Sequence, residues 1–194
     1  MEVQEFLSFL KSDSPKNIAE HLILKSGIYI FRNEDEYAEY KKPILIDHGN
    51  AHHISIVGSA NWKFSLNPTK NLSIFSRKSD IDIAIICAQS YLDTWDEMRK
   101  FHRENFYALA YDTRMSLRRH GEDVYSGFAS PKWIPSIESK VRQRYEKLTN
   151  KYSDRQVGFR KVNMMYFRDM SEAVDYYVRG IRKATEQRQK WNTK

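Results

Sequence analysis

The chain has 194 residues, 32 Lys and Arg against 25 Asp and Glu for a net charge of +7, and 41% hydrophobic residues. That length and apolar content suit one folded domain and exclude a wholly disordered chain. No run approaches the roughly 18 uninterrupted apolar residues of a membrane span, and the acidic N-terminus lacks the basic-then-apolar order of a signal peptide, so a protein of the cytoplasm without membrane contact is expected. The single cysteine, Cys87, follows an apolar run and reads as inert packing in a reducing compartment. Charge is uneven: residues 1–130 carry 16 basic against 18 acidic side chains, and residues 131–194 carry 16 against 7. The basic C-terminal third reads either as a surface for polyanions or as a solvated helix face.

Helical spacing predicts two short N-terminal helices, over residues 2–11 (Phe6, Leu7, Phe9, Leu10) and 15–25 (Ile18, His21, Leu22, Leu24), the second opened by Pro15. Gly27-Ile28-Tyr29-Ile30-Phe31 reads as a short strand and residues 33–40 as polar and acidic, so residues 1–50 form a helical layer leading to a sheet. His53 to Val57 is a β-branched strand, followed by one or two helical turns over residues 61–66 and a loop over residues 67–71. Residues 79–86 form a second strand. A long helix over residues 91–120, acidic at its start and basic at its end, should stop at Gly121. Val124 to Ser130 reads as a strand, Pro135 as the start of an amphipathic helix (Ile137, Val141, Tyr145, Leu148, Tyr152), and residues 156–167 as a late strand. Asp169 and Glu172 cap a last helix reaching about Gln189, with a frayed tail over residues 188–194. The chain thus divides into a helical layer (1–50), a core carrying the motifs (51–130) and a basic C-terminal part (131–194) of one domain.

Two motifs carry chemistry. Ile54-Ser55-Ile56-Val57-Gly58-Ser59 ends an apolar strand in glycine and serine, and Ser79-Asp80-Ile81-Asp82-Ile83-Ala84-Ile85-Ile86 begins a second strand with two aspartates one residue apart. Strand side chains alternate faces, so Asp80 and Asp82 point the same way and place two carboxylates in one small volume. Beside a strand that becomes apolar on both faces, two like charges call for a cation, and magnesium is the hard ion that carboxylates hold. Glycine lets backbone approach a phosphate closely, and serine adds a hydroxyl.

On these residues the chain resembles the nucleotidyltransferase superfamily of the DNA polymerase beta type, which includes minimal and defence-associated bacterial nucleotidyltransferases. The likeness covers about thirty residues, Ile54 to Ile86. It implies an α+β fold, a small mixed sheet flanked by helices with helical additions at both ends. It also implies Gly58 and Ser59 on the nucleotide's phosphates, and Asp80 and Asp82 on two magnesium (or manganese) ions. The implied reaction is transfer of a nucleoside monophosphate from a nucleoside triphosphate to a hydroxyl of RNA, a protein or a small molecule. The family also places a third carboxylate on a later strand. Residues 157–162 contain no acid, so Asp123, at the start of the strand expected from Val124, is the first candidate, with Asp154 and Asp169 behind it. The alternative is a non-catalytic subunit of the same fold that binds nucleotide, nucleic acid or a partner protein in a defence or toxin-antitoxin assembly. Weaker signals are Arg114 and His120, in the Arg-x5-His spacing of helical HEPN-type ribonucleases, the histidines His48, His52 and His53, and the possible base-stacking rings Trp62, Tyr125 and Tyr166.

Overall fold

The run Ile81-Asp82-Ile83-Ala84-Ile85-Ile86 forms strand β2 (Ile81–Ile86), and the fold is arranged around it. In the computed structural model, which describes residues 1–25 and 27–189 (for Pro68 and residues 187–189 the backbone alone), the architecture is α+β, with a four-stranded mixed sheet and eight α-helices among the described residues. The strand order is β1-β2-β4-β3, where β1 is His53–Val57, β3 Phe128–Ala129 and β4 Val162–Phe167. The β1 and β2 strands pair antiparallel and β2 and β4 parallel. A parallel pair requires a long crossover, which α5 (Ala88–Asn105), α6 (Tyr111–Tyr125), β3 and α7 (Lys140–Tyr152) supply.

Both faces of the sheet are covered, which explains why β2 is apolar on both sides beyond Asp82. Ala84 and Ile86 face the core built with α1 (Val3–Leu10), α2 (Pro15–Leu24) and α8 (Met170–Gln189), where Phe6, Leu22, Trp62, Tyr177 and Ile181 pack. Ile81, Ile83 and Ile85 face the opposite core, with Tyr37, Tyr40 and Ile44 of α3 (Glu34–Asp47) and Tyr145, Leu148 and Tyr152 of α7. Asp82 shares the α8 side by strand alternation.

Several elements differ from expectation. Residues 27–31 form a turn rather than a strand: the amides of Tyr29 and Ile30 donate to the carbonyls of Asn61 and Ala60, outside the sheet. The acidic segment after it is α3, capped by Asn33, whose Oδ1 accepts from the Glu36 amide at 2.9 Å. The turn after β1 is a single helical turn, α4 (Ser59–Trp62). The long helix expected over residues 91–120 is two, α5 and α6, broken over residues 106–110, and α6 runs through Gly121 to Tyr125, leaving only Phe128–Ala129 as strand. A Cβ at Gly121 would meet nothing within 4 Å, so the glycine is not needed as a stop. The helix expected from Pro135 begins at Lys140, where the Ser139 hydroxyl accepts from the Arg142 amide. The late strand starts at Val162, because residues before it turn through positive φ at Gly158 and Phe159. Asp169 caps α8 as expected, accepting from the Glu172 amide at 3.1 Å. The tail over residues 190–194 lies outside the described residues.

Candidate functional site

Register sets the site. Asp82 stands between Val57 of β1 on one side and Asn163 of β4 on the other, so one row across three strands brings the Gly58 turn, the aspartate and an asparagine together. Gly58 has φ +69° and ψ −157°, a region reserved in practice for glycine, and a Cβ there would lie 3.3 Å from Asp82 Oδ2. The glycine-serine turn and the second aspartate are therefore in near contact.

Asp80 sits one residue before β2. The Asn163 amide nitrogen donates to Asp80 Oδ2 and to Asp82 Oδ1, each at 3.1 Å, and gathers the two carboxylates onto one side chain. Burial pushes the Asp82 carboxyl up; the Asn163 hydrogen bond opposes this, Asp80 adds to it, and Lys132 and Lys70 pull it down. Asn163 is 7% exposed, and its Oδ1 is buried without a hydrogen-bond partner. An amide with both acceptors on its nitrogen and none on its oxygen suits a site completed by a cation, since rotating it by half a turn presents a third hard oxygen beside the two carboxylates.

Gly58, Ser59, Asp80 and Asp82 line one cavity of about 440 Å³. Its other walls carry Lys70, Arg179 and Lys183, with Trp62, Tyr176 and Tyr177. The buried Trp62 stands edge-to-face with Tyr177, ring centroids 5.6 Å apart. Three cations and two carboxylates lining one cavity of this size match the charge distribution of a triphosphate with bound metal.

Asp123 lies on α6 rather than at a strand start, and its Oδ2 is 3.4 Å from His120 Nδ1. The structure records no contact between it and the aspartate pair; Lys132 feels the charge of all three acids. Asp154 closes a local turn, accepting from the amides of Gln156 and Val157, and Asp169 is the cap of α8. Burial lowers the Lys132 ammonium pKa first and Lys161 lowers it further, against Asp82, Asp80 and Asp123.

The weaker signals separate. Both ring nitrogens of His120 are engaged, by Ser116 and Asp123, and the Arg114 guanidinium lies over Phe106. Buried His48 sits between Tyr152 and Tyr166, His52 is exposed, and His53 Nε2 is 3.4 Å from the Ile23 carbonyl. No group of three or more His, Cys, Asp or Glu with metal-holding geometry occurs among the described residues. Trp62 and Tyr166 are core residues, whereas Tyr125 is 92% exposed. Cys87 is a buried free thiol.

Asn163 and the cations of the cavity escaped the sequence reading. A lone polar residue inside Val162-Asn163-Met164-Met165-Tyr166-Phe167 was the available signal for Asn163; Lys70, Arg179 and Lys183 sit among many other basic residues and have none.

No family model, curated protein or solved structure matches the chain. Function rests on the geometry of the site. No described helix is long and apolar enough to cross a membrane.

Proposed function

We propose that the protein transfers a nucleoside monophosphate from a nucleoside triphosphate to a hydroxyl acceptor, as a nucleotidyltransferase of the DNA polymerase beta type. The observation that carries this reading is the meeting of the Gly58 turn with the Asp80–Asp82 pair in one cavity that Lys70, Arg179 and Lys183 also line. Gly58 lets the main chain approach a phosphate, the Ser59 hydroxyl supplies a hydrogen bond, and Lys70, Arg179 and Lys183 take the remaining charge of the triphosphate. Asp80 and Asp82 would hold magnesium or manganese, with Asn163 as a neutral oxygen donor once its amide is turned. Bound there, the ions supply charge neutralisation of the triphosphate and of the departing pyrophosphate. The acceptor oxygen bonds to the α-phosphorus, the bond from that phosphorus to the bridging oxygen breaks, pyrophosphate leaves with the electron pair, and the hydroxyl proton passes to water. The lone buried thiol suits the reducing cytoplasm.

The test is transfer of label from an α-phosphate-labelled triphosphate in magnesium or manganese. Asp80→Asn/Asp82→Asn keeps size and shape and is expected to lower transfer about a hundredfold or more. Transfer that survives in the variant overturns the assignment.

One observation favours a second reading. The residue opposite Asp82 on the later strand, where the family resemblance implies a third carboxylate, is Asn163. A neutral side chain holds metal less tightly and takes no proton, which suits a subunit that binds nucleotide, nucleic acid or a partner protein without turnover in a defence or toxin-antitoxin assembly. Saturable triphosphate binding with no product from any acceptor class supports that reading.

A further inference from the structure

Asn163 also borders a second cavity, of about 610 Å³, which shares no lining residue with the first. Two lysines enter it. Lys161 immediately precedes β4, and its carbonyl accepts the Ile81 amide at 2.8 Å, so it stands beside the strand end that carries Asp80. Lys132 is half-buried, with its ammonium 4.4 Å from the Trp133 ring centroid and within the fields of Lys161, Asp80 and Asp82.

Two rings enter it as well. Trp133 is 38% exposed, with His120 stacked on its ring at 4.3 Å between centroids and the Lys132 ammonium over it, so the free ring face is that of Phe159, which is 72% exposed. Phe159 has φ +52° directly after Gly158 at φ +65°, and its amide donates to the Asp154 carbonyl at 2.7 Å. A left-handed conformation in a non-glycine residue is unfavourable, and here it displays an aromatic ring to solvent instead of burying it. Core packing does not account for that arrangement.

Exposed ring faces take nucleobases, and paired ammonium groups take phosphodiesters. An acidic peptide would satisfy the lysines and leave the Phe159 ring bare; a neutral small alcohol would engage neither ammonium as an anion does. The one acid among the described residues lining the cavity, Glu146, is paired with Arg142 at 2.8 Å, and residues 131–194 carry 16 basic against 7 acidic side chains.

We propose that this second cavity is the acceptor site and that the acceptor is the hydroxyl-bearing 3′ end of a single-stranded nucleic acid, its terminal base on Phe159 and its phosphates on Lys132 and Lys161. This rests on the transferase reading above, which it extends by naming the acceptor. Asn163 is then the wall between the two substrates, with the carboxylate pair on one side and the strand end on the other. The terminal hydroxyl oxygen bonds to the α-phosphorus, pyrophosphate departs with the bridging oxygen's electron pair, and the hydroxyl proton goes to water, leaving the strand one nucleotide longer.

The experiment measures two bindings on the full chain: fluorescence anisotropy of a short labelled single-stranded RNA, and fluorescence of a ribose-labelled ATP. Phe159→Gly removes the ring while suiting the left-handed backbone, and its thermal melt is expected at or above that of the parent. Combined with Lys161→Ala, it is expected to weaken RNA binding at least about tenfold and leave ATP binding within about twofold. The triple variant that also carries Lys132→Ala should have a slope of log affinity against log salt flatter than the parent's by about 1.4, the change expected on losing two single-strand phosphate contacts. Lys183→Ala should do the reverse, weakening ATP and sparing RNA. Single-stranded DNA bound through the same residues supports the site with either sugar. RNA affinity and salt slope unchanged in the triple variant overturn the inference. Transfer to a protein or small hydroxyl without RNA binding overturns it and leaves the transferase reading standing, whereas failure of the parent protein to bind ATP removes that reading directly.

Discussion

Asp82 is held where a carboxylate is unfavourable on its own: half-buried, close to Asp80, and beside the turn at Gly58. Neutral Asn163 donates to both acids and cancels neither charge. Sites built for a charged ligand commonly sacrifice stability in this way. Asp82→Asn keeps the side chain's volume and removes the repulsion. Without metal it is expected to raise Tm by about 2–4 °C, the response of a chain of this size to roughly 1 kcal/mol. Millimolar magnesium or manganese should raise the Tm of the parent chain and leave that of the variant nearly unmoved, because only a state that binds the ion is stabilised by it. Differential scanning fluorimetry reads both shifts. A variant that melts lower than the parent in metal-free buffer would show that the carboxylate is structural. Asn61 illustrates the opposite kind of residue: its amide donates to the carbonyls of Leu22 and Ile56 at 2.9 and 2.8 Å, tying α2 and β1 to the turn that carries Gly58. It positions the site without facing it.

At the scale of elements, α3 joins β1 to α7 beside the candidate site. Its Tyr37 hydroxyl accepts from the Ile56 amide at 3.2 Å, and its Tyr40 hydroxyl donates to the Tyr152 carbonyl at 3.0 Å, linking β1 to the end of α7. Tyr40 is 1% exposed, so Tyr40→Phe keeps the packing and leaves the Tyr152 carbonyl without that donor. The expected loss is about 1–2 kcal/mol by urea denaturation; no change would show that water replaces the bond. The same elements mark what could be read from the sequence. Strands β1 and β2 were legible because β-branched residues with period-two alternation have one good solution, and the Asp80–Asp82 pairing on one face followed from it. The third member of the row was not, because which residue stands opposite Asp82 depends on a parallel register between strands some eighty positions apart. Helix α3 was missed because its acidic first turn and internal Pro43 hide a stripe of only three buried residues, Tyr37, Tyr40 and Ile44. The break between α5 and α6 has no glycine or proline to announce it, while Gly121, which does look like a stop, lies inside α6.

For the whole molecule, stability should depend on pH through a histidine far from the aspartates. His48 is 7% exposed, lies against the rings of Tyr152 and Tyr166, and has an unpartnered Nε2. Burial lowers its pKa from 6.5 to about 4; the positive charge of Arg144 lowers it further, and Asp47 acts in the opposite direction. The folded chain therefore keeps this ring neutral where the unfolded chain protonates it. The contribution is fully present above pH 6.5 and falls away as the pH drops through 6.5 towards about 4. Between pH 7.5 and 5 the loss amounts to roughly 2 kcal/mol. Asp13, Asp47 and Asp169 have lowered pKa values, so their contributions disappear only below the ordinary carboxylate range and fall outside this window. His53 is also lowered, by burial first, and adds to the same loss. His48→Phe fills the space between the two tyrosine rings and removes the titrating group. Its stability by urea denaturation should fall less than that of the parent between pH 7.5 and 5, the residual slope belonging to His53 and, in the opposite direction, to the raised Asp82 carboxyl. Equal losses in the two proteins would place the acid sensitivity elsewhere. Because α7 carries both Arg144 and the face that borders the second cavity, the same comparison run with RNA binding at pH 7.5 separates a packing effect of His48 from any effect on the basic surface.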